Sequence, residues 1–411
     1  MGCTRNCSYA LKCYAKFYLQ FMKKILFLTF WYPDDRNPVK GVFIIAHARA
    51  LLQAGYDVRV FAVNITHSGQ WLSVERQWLM DEAGLPVYLL NIRTVFHKWL
   101  YVAIPLLSRW VYREYLKFIQ KRFEPDIVHS HVLNPAAIAG HFLAKSIHKP
   151  HIVTEHWSKV DKFFRKNLFA CAGAKAYNQA DGISVVSQHL KTMIAQRVKN
   201  SSKIFVVPNV VPPVFSYLPH LPADVLRFTV VAKWEPPKNI QMLVDALQIV
   251  APEAGKPILL QIVGEGSLLK PIFENRYKYH FAIDVLGFLP KNRIAKLLQH
   301  TDLFLHCSDS ETFSVVTAEA LCTGVPVVVS NVGALPELVD DHNGVLCSNT
   351  PEDWARAIQQ ALRKPFDRKQ ISSEAILLYS AASVAQLFGE VYDRAIQGHQ
   401  SESGGRGGNT F

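Results

Sequence analysis

Residues 306–339 read HCSDSETFSVVTAEALCTGVPVVVSNVGALPELV, and this stretch decides how the chain folds. It opens at the end of an apolar, β-rich segment covering 302–307. A polar loop over 308–312 follows, then a helix predicted from about 313 to 323. Gly324 stops that helix, and Pro326 starts the next apolar strand, 327–329. Strand, loop, helix and strand in this order is the unit of a parallel α/β sheet, which holds ligands outside the carboxyl ends of its strands.

Two carboxylates stand out. Glu311 lies in the loop at the helix entrance, and Glu319 sits eight positions later within the helix. At helical spacing Glu319 shares a face with Val315, Val316 and Cys322, so it points at apolar surroundings. An ionised carboxylate cannot stay there alone. Two readings are open: a salt bridge to a Lys or Arg, or hydrogen bonds to the vicinal hydroxyls of a ribose. Under the second, the amides of Phe313, Ser314 and Val315 would hold phosphate at the positive end of the helix dipole.

The E-x7-E pair, followed by EAL-x-x-G-x-PVV and G-x-x-PE-V, resembles the donor site of the retaining GT-B glycosyltransferases of family 4, of bacterial envelope-polysaccharide type. Thr312 and Ser314 stand where glycines are common in that family. The resemblance implies an α/β fold of two Rossmann-like parallel-sheet domains facing a cleft, with a C-terminal helix crossing back to the first domain. It covers nearly all of residues 22–397.

At 411 residues the chain has room for two domains, each with its own core. The expected division is 22–212, an N-terminal acceptor-binding domain, then 213–380, a nucleotide-sugar-binding domain, then a crossover helix over 381–397 and a disordered tail over 398–411. Residues 1–21 read as a non-native or disordered extension, with translation starting at Met22. Cys3, Cys7 and Cys13 in that extension match no zinc spacing. The other cysteines, Cys171, Cys307, Cys322 and Cys347, are expected to be buried reduced thiols of a cytoplasmic protein.

The first domain opens with a strand over 24–30, the loop WYPDDRNPVKG, a helix over 42–54 and a strand over 57–63. In the resemblance a glycine pair here approaches the donor diphosphate, and Gly41 is the member that this chain keeps; a role in the turn alone is equally open. Residues 96–123 form a basic aromatic region whose longest uncharged run, 99–108, is too short to span a bilayer. It reads as a helix packed on the sheet with a solvated basic face, or as a surface helix meeting anionic lipid. No integral membrane span is expected. A strand over 151–154 ends in TEHWS, and the resemblance places His156 beside the transferred sugar and the acceptor, with Glu155 as its neighbour. His129 and His131, also past a strand end, read as loop-packing or acceptor-side residues. The proline-rich PNVVPP, 208–213, is the expected hinge.

In the second domain a strand over 228–232 leads to Lys233 and Lys238. The resemblance implies that both contact the donor diphosphate, with Lys233 in place of the usual arginine: the charge is kept and the bidentate fork is lost. Gly264 begins a Gly-Glu-Gly turn from strand to helix. VLGFLP, 285–290, resembles the loop whose backbone recognises the base, with Leu289 near it.

The implied reaction moves a sugar from a nucleotide diphosphate donor to a hydroxyl acceptor, with retention at the anomeric carbon. Lys233, Lys238 and the helix entrance would stabilise the departing diphosphate. Glu311 would hold sugar hydroxyls or support developing positive charge, and His156 would contact sugar or acceptor. No Asp-x-Asp occurs, so no metal and no other cofactor is expected. A nucleotide-sugar epimerase of the same fold and a non-catalytic sugar-binding protein are the rival readings.

Charge is uneven. Residues 1–213 carry 28 Lys and Arg against 12 Asp and Glu, while the remainder carry 17 against 21. The basic half is expected to bind a lipid-linked or saccharide acceptor at the inner face of the cytoplasmic membrane, on an anionic surface. No nucleic-acid reading module is present, so nucleic acid is not an expected partner.

Overall fold

A computed structural model describes residues 22–405 except 158, 167–168 and 220–222, and its strands fall into two sheets. The first sheet contains β1 (Lys24–Thr29), β2 (Asp57–His67), β3 (Ser73–Met80), β4 (Pro86–Thr94), β5 (Ile127–His131), β6 (His151–Glu155), β7 (Gly182–Val185) and β8 (Ile204–Val206). Their order is β3-β4-β2-β1-β5-β6-β7-β8. The second contains β9 (Leu226–Val231), β10 (Ile258–Val263), β11 (Ala282–Gly287), β12 (Leu303–His306), β13 (Val327–Ser330) and β14 (Gly344–Cys347), ordered β11-β10-β9-β12-β13-β14. Every pair in the second sheet is parallel.

The central strands β1, β5, β6, β12 and β13 are buried almost throughout, as strands of a sheet covered on both faces are. β1, KILFLT, is buried at every residue after Lys24. Helix Val42–Gln53 follows it and packs through Ile44, Ile45, Ala48 and Leu51, a helical repeat of apolar positions. The first sheet departs from the expected parallel form where β3 runs antiparallel to β4 at its edge. β3 is largely exposed, and its charged and polar residues suit an edge strand.

The described residues divide into one unit of 22–185, 194–205 and 385–405 and another of 186–193 and 206–384. The boundary falls at 205/206 rather than 212/213 because Val211 donates its amide to the Tyr379 carbonyl of the second unit at 2.9 Å. Residues 186–193 join that unit through Glu337, whose carboxylate accepts from the amides of Gln188 and His189.

Two expectations need correction. The last helix runs Ala381–Gly405, so residues 398–405 are helical rather than a disordered tail; His399 faces Asp181 at 3.3 Å and ties that end down. Cys171 is exposed, on the side of its helix away from the buried Gly173, Ala176 and Tyr177; Cys307, Cys322 and Cys347 are buried as expected. One segment, Arg368–Ser401, does meet the length and composition of a membrane span. It is two helices parted at Ser380, and Val384, Phe388, Val391 and Tyr392 bury one face of the second in protein. Residues 96–123 form short helices whose Leu107, Val111, Tyr115, Ile119 and Phe123 join the core over the first sheet, while Lys98, Arg109, Arg113 and Lys117 are exposed. Residues 1–21, with Cys3, Cys7 and Cys13, lie outside the described residues.

Candidate functional site

In the second unit β9 has β10 on one side and β12 on the other, so the order of strands reverses there. A crevice forms beyond the carboxyl ends of strands at such a point. The loops after β9 and β12 supply the expected residues. Lys238 and Ser308 form an isolated antiparallel bridge, and the Asp309 amide donates to the Pro237 carbonyl at 2.9 Å. This zipping brings side chains far apart in sequence together. Lys238 forms an ion pair with Glu311. Buried His306 joins them, its Nε2 lying 2.9 Å from Glu311 Oε1 and 3.2 Å from both Lys238 Nζ and Ser314 Oγ.

The electrostatics follow from this packing. Burial opposes ionisation of Glu311, but hydrogen bonding to His306, then the charge of Lys238, hold its pKa at about 2. Burial, and then the Lys238 charge, lower the pKa of His306 against the pull of Glu311. The cluster therefore holds an ionised carboxylate, an ammonium and an imidazole that resists protonation.

Ser314 precedes helix Val315–Cys322 with φ 74°, in the left-handed region where glycine is at ease. The glycine that the resemblance implies at this place would have a backbone reason, and here Ser314 adopts that conformation with Oγ bonded to Thr317 Oγ1 at 2.8 Å. The helix has no side-chain cap, so its first amides are left to an anion or to solvent. Phe313 is buried edge-on against Tyr379 with 5.6 Å between ring centres, which anchors the entrance. Val315 is half-buried in the first turn.

Glu319 is 1% exposed and pairs through Oε1 with Lys291, the first residue of helix Lys291–Gln299. The salt-bridge reading is therefore realised. Its Oε2 remains buried with no hydrogen-bond partner, which leaves room for the ribose reading. Burial raises the Glu319 pKa and Lys291 opposes that. The remaining expected residues lie at the same strand ends. Lys233 is exposed just past β9, and Leu289 is half-buried just past β11. Gly264, just past β10, has φ 109°, and a Cβ there would lie 1.8 Å from the Ala232 carbonyl oxygen. That glycine lets two strand ends close up.

Gly41 and His156 belong to the first unit. Gly41 caps helix Val42–Gln53 at φ 70°, and a Cβ would lie 1.9 Å from the Trp31 carbonyl oxygen, so the turn alone requires glycine. His156 directly follows β6 and is 8% exposed. Glu155 is committed internally: its carboxylate accepts from the amides of Leu133, His156 and Trp157 and from the Tyr177 hydroxyl, all within 2.9 Å. Those four bonds use its acceptor sites, so Glu155 positions the loops rather than meeting a ligand. His131 closes β5 with Nδ1 3.3 Å from His156 Nε2. The next residue, Val132, has φ 71°, a strained value for a β-branched side chain and of the kind concentrated at functional sites. His47 reaches the same place from helix Val42–Gln53.

Sequence reading missed His306, Lys291 and His47. His306 carried a signal, being a polar residue that ends an apolar strand beside the E-x7-E motif; Lys291 and His47 carried none.

Residues 220–377 match the family model described as Glycosyl transferases group 1, and residues 41–215 match Glycosyltransferase Family 4. The putative teichuronic acid biosynthesis glycosyltransferase TuaC of Bacillus subtilis is 24% identical over 85% of this chain and 90% of its own length. One component of the human phosphatidylinositol N-acetylglucosaminyltransferase is 25% identical over 89% of this chain and 74% of its own. Among solved structures, Anabaena HepE in complex with UDP aligns with a TM-score of 0.68 at 16% identity, covering 90% of this chain and all of that one.

Proposed function

This chain belongs to the group 1 glycosyl transferases, and from that premise we propose that it moves a sugar from a nucleotide diphosphate donor to a hydroxyl acceptor with retention. Its fold is GT-B, with two Rossmann-like domains. The carrying observation is the cluster of Lys238, His306 and Glu311 beside an uncapped helix end, at the reversal of strand order. Lys238, Lys233 and the amides of Phe313, Ser314 and Val315 meet the diphosphate, whose charge grows as it leaves. Those cations and the helix end take the part a divalent ion would play, so transfer needs no metal. Glu311, ionised over the whole working range, faces the sugar hydroxyls or the positive charge developing at the anomeric carbon. Glu319 Oε2 takes the ribose hydroxyls, Leu289 and Gly264 flank the nucleotide, and His156 contacts the sugar or acceptor.

The acceptor in this reading is a lipid-linked or polysaccharide precursor. Supporting it are the likeness to TuaC, a putative teichuronic acid biosynthesis glycosyltransferase, and to the human phosphatidylinositol enzyme, and the positive charge of residues 1–213. Exposed Trp71, Phe96 and Trp99 with Lys98 add an aromatic and basic surface suited to an anionic membrane face in the cytoplasm. A thermal-shift panel of UDP, GDP and ADP tests the donor assignment. One nucleotide at a hundred times its dissociation constant should stabilise by about 2.7 kcal/mol. No shift with any of them would refute the donor site. An isomerised sugar formed from donor alone would instead identify an epimerase.

A further inference from the structure

Three histidines meet in the first unit, outside the donor-binding residues: His47 from helix Val42–Gln53, His131 at the end of β5 and His156 just past β6. Each offers a ring nitrogen, and the three nitrogens lie within 4.8 Å of one another. The His131 Nδ1 to His156 Nε2 separation is 3.3 Å. That is the edge of a tetrahedron about an ion with bonds of about 2.0–2.1 Å to imidazole nitrogen. The pair alone could be one hydrogen bond between rings. The third histidine offers a nitrogen within 4.8 Å of both, near enough to complete a face of ligands on a small side-chain movement.

The setting matches the ligands. Phe27 packs on His131 at 4.4 Å between ring centres, Phe43 on His156 at 4.5 Å and Phe388 on His47 at 5.0 Å. An aromatic wall of this kind keeps out competing water and holds the rings in place. His129 next door lies outside the group, its Nδ1 2.8 Å from the Tyr392 hydroxyl and its Nε2 2.6 Å from Thr154 Oγ1. Three imidazoles without a carboxylate select borderline ions such as Zn²⁺ over Mg²⁺ or Ca²⁺, and three protein ligands leave a fourth position open.

We propose that His47, His131 and His156 bind a borderline divalent transition-metal ion, and that occupation of this site reversibly switches off sugar transfer. The ion is no part of the transfer chemistry. It acts by engaging His156, and this inhibitory half rests on the assignment of His156 to the sugar or acceptor.

The test uses the full chain and Co²⁺ as a spectroscopic stand-in for Zn²⁺. Wild type should develop the visible d–d bands of a four-coordinate nitrogen site at one equivalent, without thiolate charge-transfer bands, and Zn²⁺ should bleach them. His47→Gln and His131→Asn, checked for folding by circular dichroism, should each weaken binding by at least the roughly 10–100-fold seen for lesser, outer-sphere changes. Should both variants misfold, the wild-type melting temperature decides: it must rise with Zn²⁺ and not with Mg²⁺. No bands, sulfur-type bands alone, or equal binding by folded variants would overturn the site. If the bands form and bleach as described but transfer continues with Zn²⁺ bound, the site stands and the role of His156 falls. If no ion binds but His156→Ala abolishes transfer, the reverse holds.

Discussion

Glu319→Gln separates the two roles that one buried carboxylate can have. The substitution keeps volume and shape and removes the charge. On the protein side it dissolves the pair with Lys291, whose side chain is 46% exposed, so stability should move by about 1 kcal/mol or less. On the ligand side it weakens whatever Oε2 accepts, the oxygen left buried without a partner. Hydrogen bonds to a charged acceptor contribute about 1.5–3 kcal/mol. At 1.4 kcal/mol per decade that is a loss of roughly 10- to 150-fold in affinity. Isothermal titration calorimetry with the nucleoside diphosphate that gives the largest thermal shift, paired with urea unfolding, reads both quantities on the same samples. A folded variant whose affinity stays within about twofold of wild type would show that Glu319 serves Lys291 alone.

Glu311, held at about 2 instead of 4.5, contributes stability that is complete above pH 4.5 and lost as the pH falls toward 2. Its 14% exposed side chain limits the contribution to at most about 3 kcal/mol, and Glu311→Gln should flatten the acid limb of wild-type stability by that order; identical slopes would refute the pairing. Transfer should persist in excess EDTA, and a full loss restored by Mg²⁺ or Mn²⁺ would overturn the metal-free mechanism. The chain should sediment with anionic liposomes but not neutral ones and release in high salt, at about 1 kcal/mol per basic residue near the surface; retention in the supernatant with both lipids at low salt would make the acceptor soluble.

The second domain was the more legible half because its site is local. Glu311, Ser314 and Glu319 fall within one loop and helix, and their spacing survives into the structure. The pairing of Lys238 with Glu311 and His306 was not legible, since it crosses some 70 residues and depends on β9 and β12 being neighbours. Hydrophobic periodicity finds strands and says little about which lie side by side. The edge strand β3 was invisible for a different reason: its exposure follows no alternation, so the pattern a half-buried strand shows is missing. Cys171 shows the limit of composition, since a cysteine in an alanine-rich helix can face either way. The helical 398–405 segment looked like a polar tail, and only its tether to Asp181, over two hundred residues away, argues otherwise.

Lys238, the ammonium assigned to the diphosphate, is engaged by Glu311 within the protein itself. A nucleotide that recruits this lysine therefore exchanges one anion for another, and it leaves the carboxylate to His306 and to the sugar it is proposed to face. Arrival is less favourable than a bare lysine would make it. Departure is correspondingly easier, because the carboxylate waits to recapture the amine as the spent nucleotide loosens. On the proposed donor assignment, an arrangement of this kind works as a return spring, trading grip on the spent nucleotide for speed of clearance.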